Sequence, residues 1–246
     1  MTRKIAVVGA TSAIARQCVR LWLEEEASDV TLVGRDARRF ESTAADMRVR
    51  SPGSAISVRE LDLVNVAAIE QGVADLCEGG APDIVLIAHG SLPEQAACQD
   101  DLRIAADALQ VNALSPALFA EAFAKQLQKA GRGTLVVIGS VAGDRGRRKN
   151  YTYGAAKALV DRYVEGLQHR FAGSGVRIVL AKPGPTDTPM TAHMDTRGMA
   201  SAADVAKRIV EGARRGQPVI YAPAKWRLIM FVIRHLPRRV FDRLDI

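Results

Sequence analysis

A serine, a tyrosine and a lysine are spaced in this chain so that their side chains can surround one carbonyl group. Tyr153 and Lys157 are four residues apart, so on a helix they share one face. A lysine there favours the phenolate and is expected to lower the pKa of the phenol from about 10, making it a usable proton donor. Ser140 precedes Tyr153 by 13 residues, and the intervening loop can return its hydroxyl to the phenol. Taken alone, a tyrosine and a lysine at this spacing are more typical of a solvated helix surface than of a catalytic site.

Short apolar runs alternate with helical segments along the whole chain, and this alternation predicts the elements that position the three side chains. Strands are predicted at 4–8, 30–33, 56–61, 83–87, 134–138 and 176–181. Helices are predicted at 12–26, from 34–39 towards 50, at 64–77, over a long region at 94–130, and in a segment that carries Tyr153 and ends near 173. The pattern predicts an α/β fold with one doubly wound parallel sheet in a single domain, residues 1–246.

Ligands of such a sheet bind outside the carboxyl ends of its strands. The residues that directly follow predicted strands are Gly9, Arg35, Asp62, Gly90, Ser140 and the pair Pro183-Gly184. Between the first strand and the first helix, the turn at residues 9–15 reads GATSAIA. A helix N-terminus after such a turn binds phosphate through free backbone N–H groups, so the sequence predicts a nucleotide site at this edge.

Composition narrows the functional classes. The chain has 246 residues with 48% hydrophobic and 25% charged residues, which is typical of one globular domain. Its net charge is +7, which suits a phosphorylated substrate, anionic lipid or nucleic acid. Aromatic residues make up only 5% and no nucleic-acid-binding motif is visible, so we expect no nucleic-acid partner.

Cysteines and histidines indicate neither a disulfide framework nor a metal site. The three cysteines form no CxxC pair, which suits a reducing cytoplasm. The four histidines lack metal-ligand spacing, and we expect no bound metal. Glycine and polar residues interrupt the N-terminal apolar run early, so we interpret that run as a first strand rather than a signal peptide.

In combination, these motifs resemble those of the short-chain dehydrogenase/reductase family over nearly the whole chain. The matching positions are residues 9–15, Asp62-Leu63, Ala88-His89-Gly90, Asn112, Ser140, Tyr153, Lys157 and Pro183-Gly184. The resemblance implies a Rossmann-type fold and an NAD(P)H-dependent oxidoreductase that reduces a ketone.

The resemblance also implies roles for four catalytic residues. Tyr153 would protonate the ketone oxygen as hydride arrives, and Ser140 would orient and polarise the carbonyl. Lys157 would hold the nicotinamide ribose and lower the tyrosine pKa. Asn112 would hold the helix and a water that relays protons to Lys157. The cofactor would supply the reductant.

Cofactor binding is implied for a larger set of residues. These are Gly9, Thr11, Ser12, Ala13, Ile14, Arg35, Asp62, Leu63, Ala88, Gly90, Tyr153, Lys157, Pro183, Gly184, Thr186 and Thr188. Ala13 and Ala15 stand where the family has glycines, and Ala88-His89-Gly90 replaces Asn-Ala-Gly. These departures predict weakened or repositioned binding rather than its loss, since the backbone N–H groups remain.

The end of the second predicted strand bears on the choice of cofactor. Arg35, with Arg38 and Arg39 close by, suits the 2′-phosphate of NADP(H), whereas Asp36 suits the ribose hydroxyls of NAD(H). The basic residues favour NADP(H), with NAD(H) as the alternative. Asp36 can instead cap the following helix while the arginines are solvated.

Three segments, at 144–149, 177–190 and 221–241, resemble family members that reduce a polyprenylphosphoryl 2-keto-pentose. The resemblance therefore implies a lipid-linked 2-keto sugar as substrate and a partner oxidase. Arg145, Arg147 and Arg148 in the first segment can bind its phosphate in a bidentate manner, although a solvated loop explains them equally well. The segment 186–197 is expected to form a flap over substrate and nicotinamide, with Thr188 at the carboxamide.

The C-terminal segment, residues 225–246, is both basic and apolar. It carries six Lys/Arg and two Asp, and its apolar core is shorter than the roughly 20 residues that span a bilayer. Such a segment fits a peripheral membrane contact, and equally a partner subunit, since family members are commonly homo-oligomers. The basic residues favour the membrane, so we expect a cytoplasmic protein that can contact the membrane peripherally.

Two other functions stay open from the sequence. The first is reduction of another hydrophobic ketone, such as a 3-oxoacyl or steroid-like compound. The second is a non-catalytic NADP(H)-binding sensor or scaffold, which the alanines in the first turn leave open and the intact Asn112, Ser140, Tyr153 and Lys157 argue against.

Overall fold

A parallel sheet lies at the centre of this computed structural model, which describes residues 2–244; Met1, Asp245 and Ile246 lie outside the described residues. The strands are β1 (Arg3–Val8), β2 (Ser28–Gly34), β3 (Ala55–Glu60), β4 (Ile84–Ile87), β5 (Gly133–Ile138), β6 (Val176–Pro183), β7 (Thr186–Asp187), β8 (Ala200–Ser201) and β9 (Val219–Ala222). Seven of them pair in the order β3-β2-β1-β4-β5-β6-β9, and every pair is parallel. The order reverses between β1 and β4, where open α/β sheets bind ligands.

Helices cover both faces of the sheet. They are α1 (Ala13–Glu25), α2 (Arg38–Arg50), α3 (Val66–Leu76), α4 (Gln95–Asp100), α5 (Leu102–Leu109), α6 (Ser115–Ala130), α7 (Tyr151–Arg170), α8 (Ala202–Arg214), α9 (Lys225–His235) and α10 (Arg238–Phe241). A π-helical turn (Gln110–Leu114) joins α5 to α6, and a 3-10 turn (Val141–Asp144) follows β5.

Alternate residues of β1 enter two separate cores. Ile5 and Val7 face the layer that contains α1 and α8, whereas Ala6 and Val8 face the layer of α3, α6 and α7. Burial on both faces explains why the central strands are continuous apolar runs rather than alternating ones. The doubly wound single-domain fold predicted from the sequence is confirmed.

Two predictions about the elements are corrected. The long helical region expected at 94–130 is divided, because Asp101 adopts an extended backbone at φ −131° and its side chain accepts from the Arg103 backbone N–H, ending α4 and starting α5. The strand β9 and helix α8 were not predicted. β9 is only four residues long and lies between Pro218 and Pro223, so its apolar pattern is short.

The C-terminal helix α9 packs against the carboxyl-terminal edge of the sheet. Met230 is fully buried, and Trp226 lies directly against Gly184, which follows β6. Between residues 2 and 244, no helix is both long and apolar enough to cross a bilayer.

Candidate active site

The carboxyl ends of the central strands border a cavity of about 640 Å³. The predicted cofactor-binding residues that line it are Gly9, Thr11, Ser12, Ala13, Ile14, Arg35, Leu63, Ala88, Gly90, Tyr153, Lys157, Pro183, Gly184, Thr186 and Thr188. Asp62 does not line the cavity. It is exposed, and its carboxylate accepts a hydrogen bond from the Val64 backbone N–H at 2.9 Å, so it shapes the turn after β3.

The turn after β1 has the geometry of an anion site. Gly9 has φ +92°, which side chains disfavour, and a Cβ at this position would collide with the backbone of His89. Both the backbone conformation and the lack of space therefore require a glycine here. Ser12 caps α1 by accepting from the Ala15 N–H at 3.3 Å. The Ala15 methyl lies fully buried in the core, while Ala13 lines the cavity at the helix N-terminus. The turn thus accommodates both alanines and keeps its N–H groups at the cavity.

Of the three arginines that follow β2, two line the cavity and one does not. Arg35 and Arg39 are exposed and line the cavity, whereas Arg38 does not line it and pairs with Asp36. The Asp36 carboxylate also accepts from the Arg38 backbone N–H at 3.1 Å. It is not the N-cap that the sequence suggested, because α2 begins after Ala37 and has no side-chain capping bond. Two cations therefore line the cavity here together with Asp36, one of whose carboxylate oxygens, Oδ1, binds Arg38.

The residues after β4 depart from the family pattern in a way that the structure accommodates. His89 is buried, its Nε2 lies 2.7 Å from the Ser115 hydroxyl, and its ring packs edge-on against Phe119. Burial, together with the nearby cations Lys157 and Arg35, lowers the pKa of His89 to about 3, so the ring is neutral at physiological pH.

Asn112 lies in the π-helical turn, just behind the cavity rather than in its lining. Its amide donates to the Ala108 carbonyl at 2.9 Å, and its carbonyl oxygen accepts from the Ser91 N–H at 2.8 Å. These bonds join the helix to the segment after β4, as expected for a residue that holds the helix. A Cβ at Gly90 would lie 2.7 Å from the Asn112 oxygen, so a glycine is needed there. Such π-helical turns occur frequently at functional sites.

Ser140, Tyr153 and Lys157 meet at one end of the cavity. Ser140 follows β5, while Tyr153 and Lys157 lie on successive turns of α7. The Lys157 ammonium donates to the Ile138 carbonyl at 3.0 Å and lies 5.7 Å from the centroid of the Tyr153 ring. The structure therefore brings together the three groups that the sequence spacing selected.

The segment after β6 also lines the cavity. Thr188 donates its backbone N–H to the Thr191 hydroxyl at 3.1 Å, and that hydroxyl donates to the Thr186 carbonyl at 2.7 Å, which fixes the turn. Met190 and Met194 line the cavity and are about half exposed, as expected for a segment that covers the mouth of a site.

The basic loop at 144–149 is corrected in two respects. The Arg145 guanidinium donates to the Ile233 carbonyl and, at 2.9 Å, to the Leu236 carbonyl, and it stacks on Phe241 at 3.7 Å. It therefore fixes the C-terminal segment and does not face the cavity. Arg148 is exposed and also lies outside the lining. Of the three arginines predicted to bind substrate, Arg147 alone lines the cavity.

Comparison with known proteins decides the family. The family model of the short chain dehydrogenases matches residues 3–198. The chain belongs to the short-chain dehydrogenase family. An uncharacterized oxidoreductase of Streptomyces coelicolor is 32% identical over 98% of this chain and 96% of its own length. An uncharacterized oxidoreductase of Mycobacterium tuberculosis is 34% identical over 87% of each chain.

Solved structures of other short-chain dehydrogenases share the fold. One from Burkholderia cenocepacia, in complex with NADP, superimposes with a TM-score of 0.83 at 19% identity and covers 99% of this chain and 97% of its own. One from Sphingobium yanoikuyae, in complex with NADPH, gives a TM-score of 0.79 at 22% identity over 96% and 97% of the two chains. As a short-chain dehydrogenase, the protein is an NAD(P)-dependent oxidoreductase. A nicotinamide cofactor supplies hydride chemistry, and the first turn and strand ends fit its phosphates and ribose.

In this short-chain dehydrogenase, burial is the main cause of the pKa shifts of Tyr153 and Lys157. Burial raises the pKa of Tyr153 to about 12, and the hydrogen bond from Ser140 opposes this only in part. Burial thus acts on the phenol in the direction opposite to the lowering expected from Lys157. Burial also lowers the pKa of Lys157 to about 8. At neutral pH the phenol holds its proton and the lysine is mostly cationic, which is the state that can donate a proton to a carbonyl oxygen.

Sequence reasoning missed a buried ionic cluster directly behind these groups. Lys182 forms ion pairs with Asp144 and Asp161, and each of the three side chains is at most 5% exposed. Two signals pointed to it. Asp161 lies one helical turn after Lys157, on the same face, and Lys182 interrupts an otherwise apolar strand.

Replacing Tyr153→Phe should remove turnover while preserving cofactor binding. The ring keeps its packing but loses the proton donor, so the rate of ketone reduction should fall by at least about 100-fold. Fluorescence titration with NADPH should give a Kd within about twofold of the wild-type value. Tyr151→Phe is the matched control, since Tyr151 is exposed and Ala155 stands four residues after it. Wild-type turnover in Tyr153→Phe would contradict the assignment of the proton donor.

Proposed function

We propose that this protein is an NADPH-dependent ketoreductase whose substrate is a keto sugar linked through phosphate to a lipid. The observation that carries the substrate class is Arg147. It lines the cavity that also holds Tyr153, and burial lowers the pKa of its guanidinium. Its Nε is buried and has no hydrogen-bond partner among residues 2–244. A half-buried guanidinium at the cavity, with an N–H that has no protein acceptor, is suited to a phosphate oxygen.

The proposed catalytic roles follow from the same geometry. Tyr153 donates its phenolic proton to the ketone oxygen, and Ser140 holds that oxygen by a hydrogen bond. Lys157 binds the ribose of the cofactor and keeps positive charge beside the phenol. The negative charge that develops on the ketone oxygen is thus met by a proton donor in a water-poor cavity.

The preference for NADPH is supported by the end of β2. Arg35 and Arg39 line the cavity beside a single carboxylate, Asp36, one of whose oxygens binds Arg38. Two arginines against one carboxylate favour a 2′-phosphate over a ribose hydroxyl. The two solved short-chain dehydrogenases described above also contain NADP or NADPH.

The membrane contact is proposed for the outward face of α9. Leu228, Phe231 and Val232 are 70%, 61% and 51% exposed, an unusual cluster for a water-soluble surface. Arg227 and Arg234 lie along one margin of this face and form no ion pair with any residue between 2 and 244. α9 itself carries no acidic residue. An apolar face beside cations fits the interface of an anionic bilayer.

A second copy of the chain fits this face less well. In a two-fold contact, α9 would meet the same face of its partner, and its arginines would approach other arginines without any acidic residue on the helix to compensate. Trp226 of α9 packs against Gly184, which lines the cavity, so the proposed bilayer surface adjoins the active site. A lipid-anchored ketone would have only a short distance to travel from the bilayer surface to the active site.

Another hydrophobic ketone, without phosphate, is the second candidate. It is favoured by the apolar side chains of Leu92, Val111, Met190 and Met194 in the cavity lining. The two candidates differ in what Arg147 should do.

Arg39→Ala should weaken NADPH selectively. Loss of one charge-assisted contact to the 2′-phosphate is expected to raise the Kd of NADPH by about 10-fold and leave that of NADH unchanged. Arg38→Ala is the matched control, because Arg38 does not line the cavity. Fluorescence titration with both nucleotides measures the difference. An equal effect on NADPH and NADH would contradict a 2′-phosphate site.

Arg147→Ala should raise the KM for a short-chain prenylphosphoryl 2-keto-pentose by at least about 10-fold, because a charged hydrogen bond to phosphate is lost. The KM for the methyl glycoside of the same keto sugar should not change, since that compound has no phosphate. Arg148→Ala is the control, with wild-type values expected for both. An unchanged KM for the phosphate-linked compound in Arg147→Ala would favour the second candidate.

The triple variant Leu228→Ser, Phe231→Ser and Val232→Ser should abolish co-sedimentation with vesicles containing phosphatidylglycerol. The loss of buried apolar area is expected to weaken binding by more than about 10-fold. Val49→Ser with Leu102→Ser is the control, since both residues are exposed apolar side chains elsewhere. Failure of the wild-type protein to bind these vesicles would remove the membrane proposal. A change of oligomeric state in the triple variant, measured by analytical ultracentrifugation, would assign the face to a second copy.

A further inference from the structure

Two carboxylates, an ammonium and a phenol form a buried cluster immediately behind the active site. The Lys182 ammonium donates to Asp161 at 2.7 Å and also to Asp144. The second oxygen of Asp144 accepts from the Tyr221 hydroxyl at 3.0 Å. The second oxygen of Asp161 is buried and has no hydrogen-bond partner among the described residues. One ammonium is thus shared by two carboxylates, and the cluster is one positive charge short of neutral.

The missing positive charge lies one helical turn away. Tyr153, Lys157 and Asp161 follow each other at intervals of four residues along α7, so they form one stripe on the buried side of that helix. Tyr153 and Lys157 line the cavity, and Asp161 lies below them. With Lys157 included, two ammonium groups balance two carboxylates.

We propose that Asp161 is a positioning residue, whose buried carboxylate is the counter-charge that keeps Lys157 protonated and supports the loop that carries Ser140. This inference rests on the proposed function only for its kinetic consequence. The charge balance and the loop contact belong to the fold.

The contact with the loop follows from two glycines that flank Ser140. A Cβ at Gly139 would lie 2.9 Å from one oxygen of Asp161, and a Cβ at Gly143 would lie 2.6 Å from the other. Both distances are shorter than any normal contact, so the backbone on each side of Ser140 rests directly on this carboxylate. Asp161 therefore touches the segment that positions the serine hydroxyl and lies on the helix that positions the tyrosine and lysine.

The electrostatic part of the inference depends on the groups that face Lys157. Burial lowers the pKa of Lys157, and the Asp161 carboxylate opposes that fall. The same carboxylate raises the pKa of Tyr153. Of the other groups nearby, His89 on the β4 side is neutral because its pKa is about 3, while Lys182 and Asp144 neutralise each other in part. Asp161 is thus the carboxylate that acts on both members of the pair.

Asp161→Asn should shift the titration of the pair to lower pH. Without the carboxylate, the pKa of Lys157 falls below its value of about 8, and the pKa of Tyr153 falls too. Ketone reduction needs the protonated pair, so its rate should decline at a lower pH than in the wild-type protein, by about one pH unit. A purely structural role for Asp161 would lower the rate at every pH and leave the midpoint in place.

The experiment has two readouts. The titration of Lys157 is followed by NMR of lysine labelled with ¹³C at Cε, with Lys157→Met identifying the signal, and this requires no turnover. The pH profile of NADPH-dependent ketone reduction is measured from pH 6 to 9.5. Glu165→Gln is the control, since it removes an exposed carboxylate one turn further along α7 and should move neither readout. If Asp161→Asn does not fold, Asp144→Asn and Asp161→Asn combined with Lys182→Met remove every charge of the cluster. Lys157 is then without a counter-charge, as in the single variant, and should show the same shift.

The outcomes separate the two proposals. A folded variant in which Lys157 titrates at the wild-type pH would overturn the role of Asp161. A shifted Lys157 titration in a protein that reduces no ketone would support the counter-charge and remove the proposed function. A shift in both readouts would support both.

Discussion

Parallel alignment of the seven main strands is the constraint on which the rest of this structure depends. When all strands run in one direction, all their carboxyl ends lie at one edge, and every turn that follows a strand is brought to the same place. Residues from turns more than 170 positions apart, such as Gly9 and Pro183, line one cavity for this reason. The cost is that the strands must be buried on both faces, which the two apolar cores provide.

Burial of charge is the second constraint, and it follows from the first. The buried face of α7 carries a phenol, an ammonium and a carboxylate, all held where water is scarce. Desolvation alone would favour the neutral lysine, and burial moves the phenol away from ionisation. The cluster of Asp144, Asp161 and Lys182 gives this region compensating charge, and the glycines beside Ser140 allow the loop to approach it closely. The charge state of the catalytic side chains therefore depends on the packing at this edge of the sheet.

The C-terminal segment is joined to the active site by two contacts. Arg145 binds the carbonyls at the end of α9 and stacks on Phe241, and Trp226 packs against Gly184 at the cavity wall. In the sequence, Arg145, Arg147 and Arg148 are three similar cations of one loop, but the structure gives them different positions. One arginine fixes the C-terminal helix, another lines the cavity, and Arg148 remains at the surface.

The sequence by itself determined the alternation of strands and helices, the parallel sheet, the turn at Gly9 and the joint presence of Ser140, Tyr153 and Lys157. These are local patterns, in which spacing along the chain fixes the geometry. Tertiary structure alone decided which arginines face the cavity, how the region 94–130 is divided, and the presence of β9. It also decided the direction of the Tyr153 pKa shift, because desolvation depends on everything that encloses the phenol. The partners of Asp161 lie on β6 and in the loop after β5, so its place in a charge cluster arises only when distant segments meet.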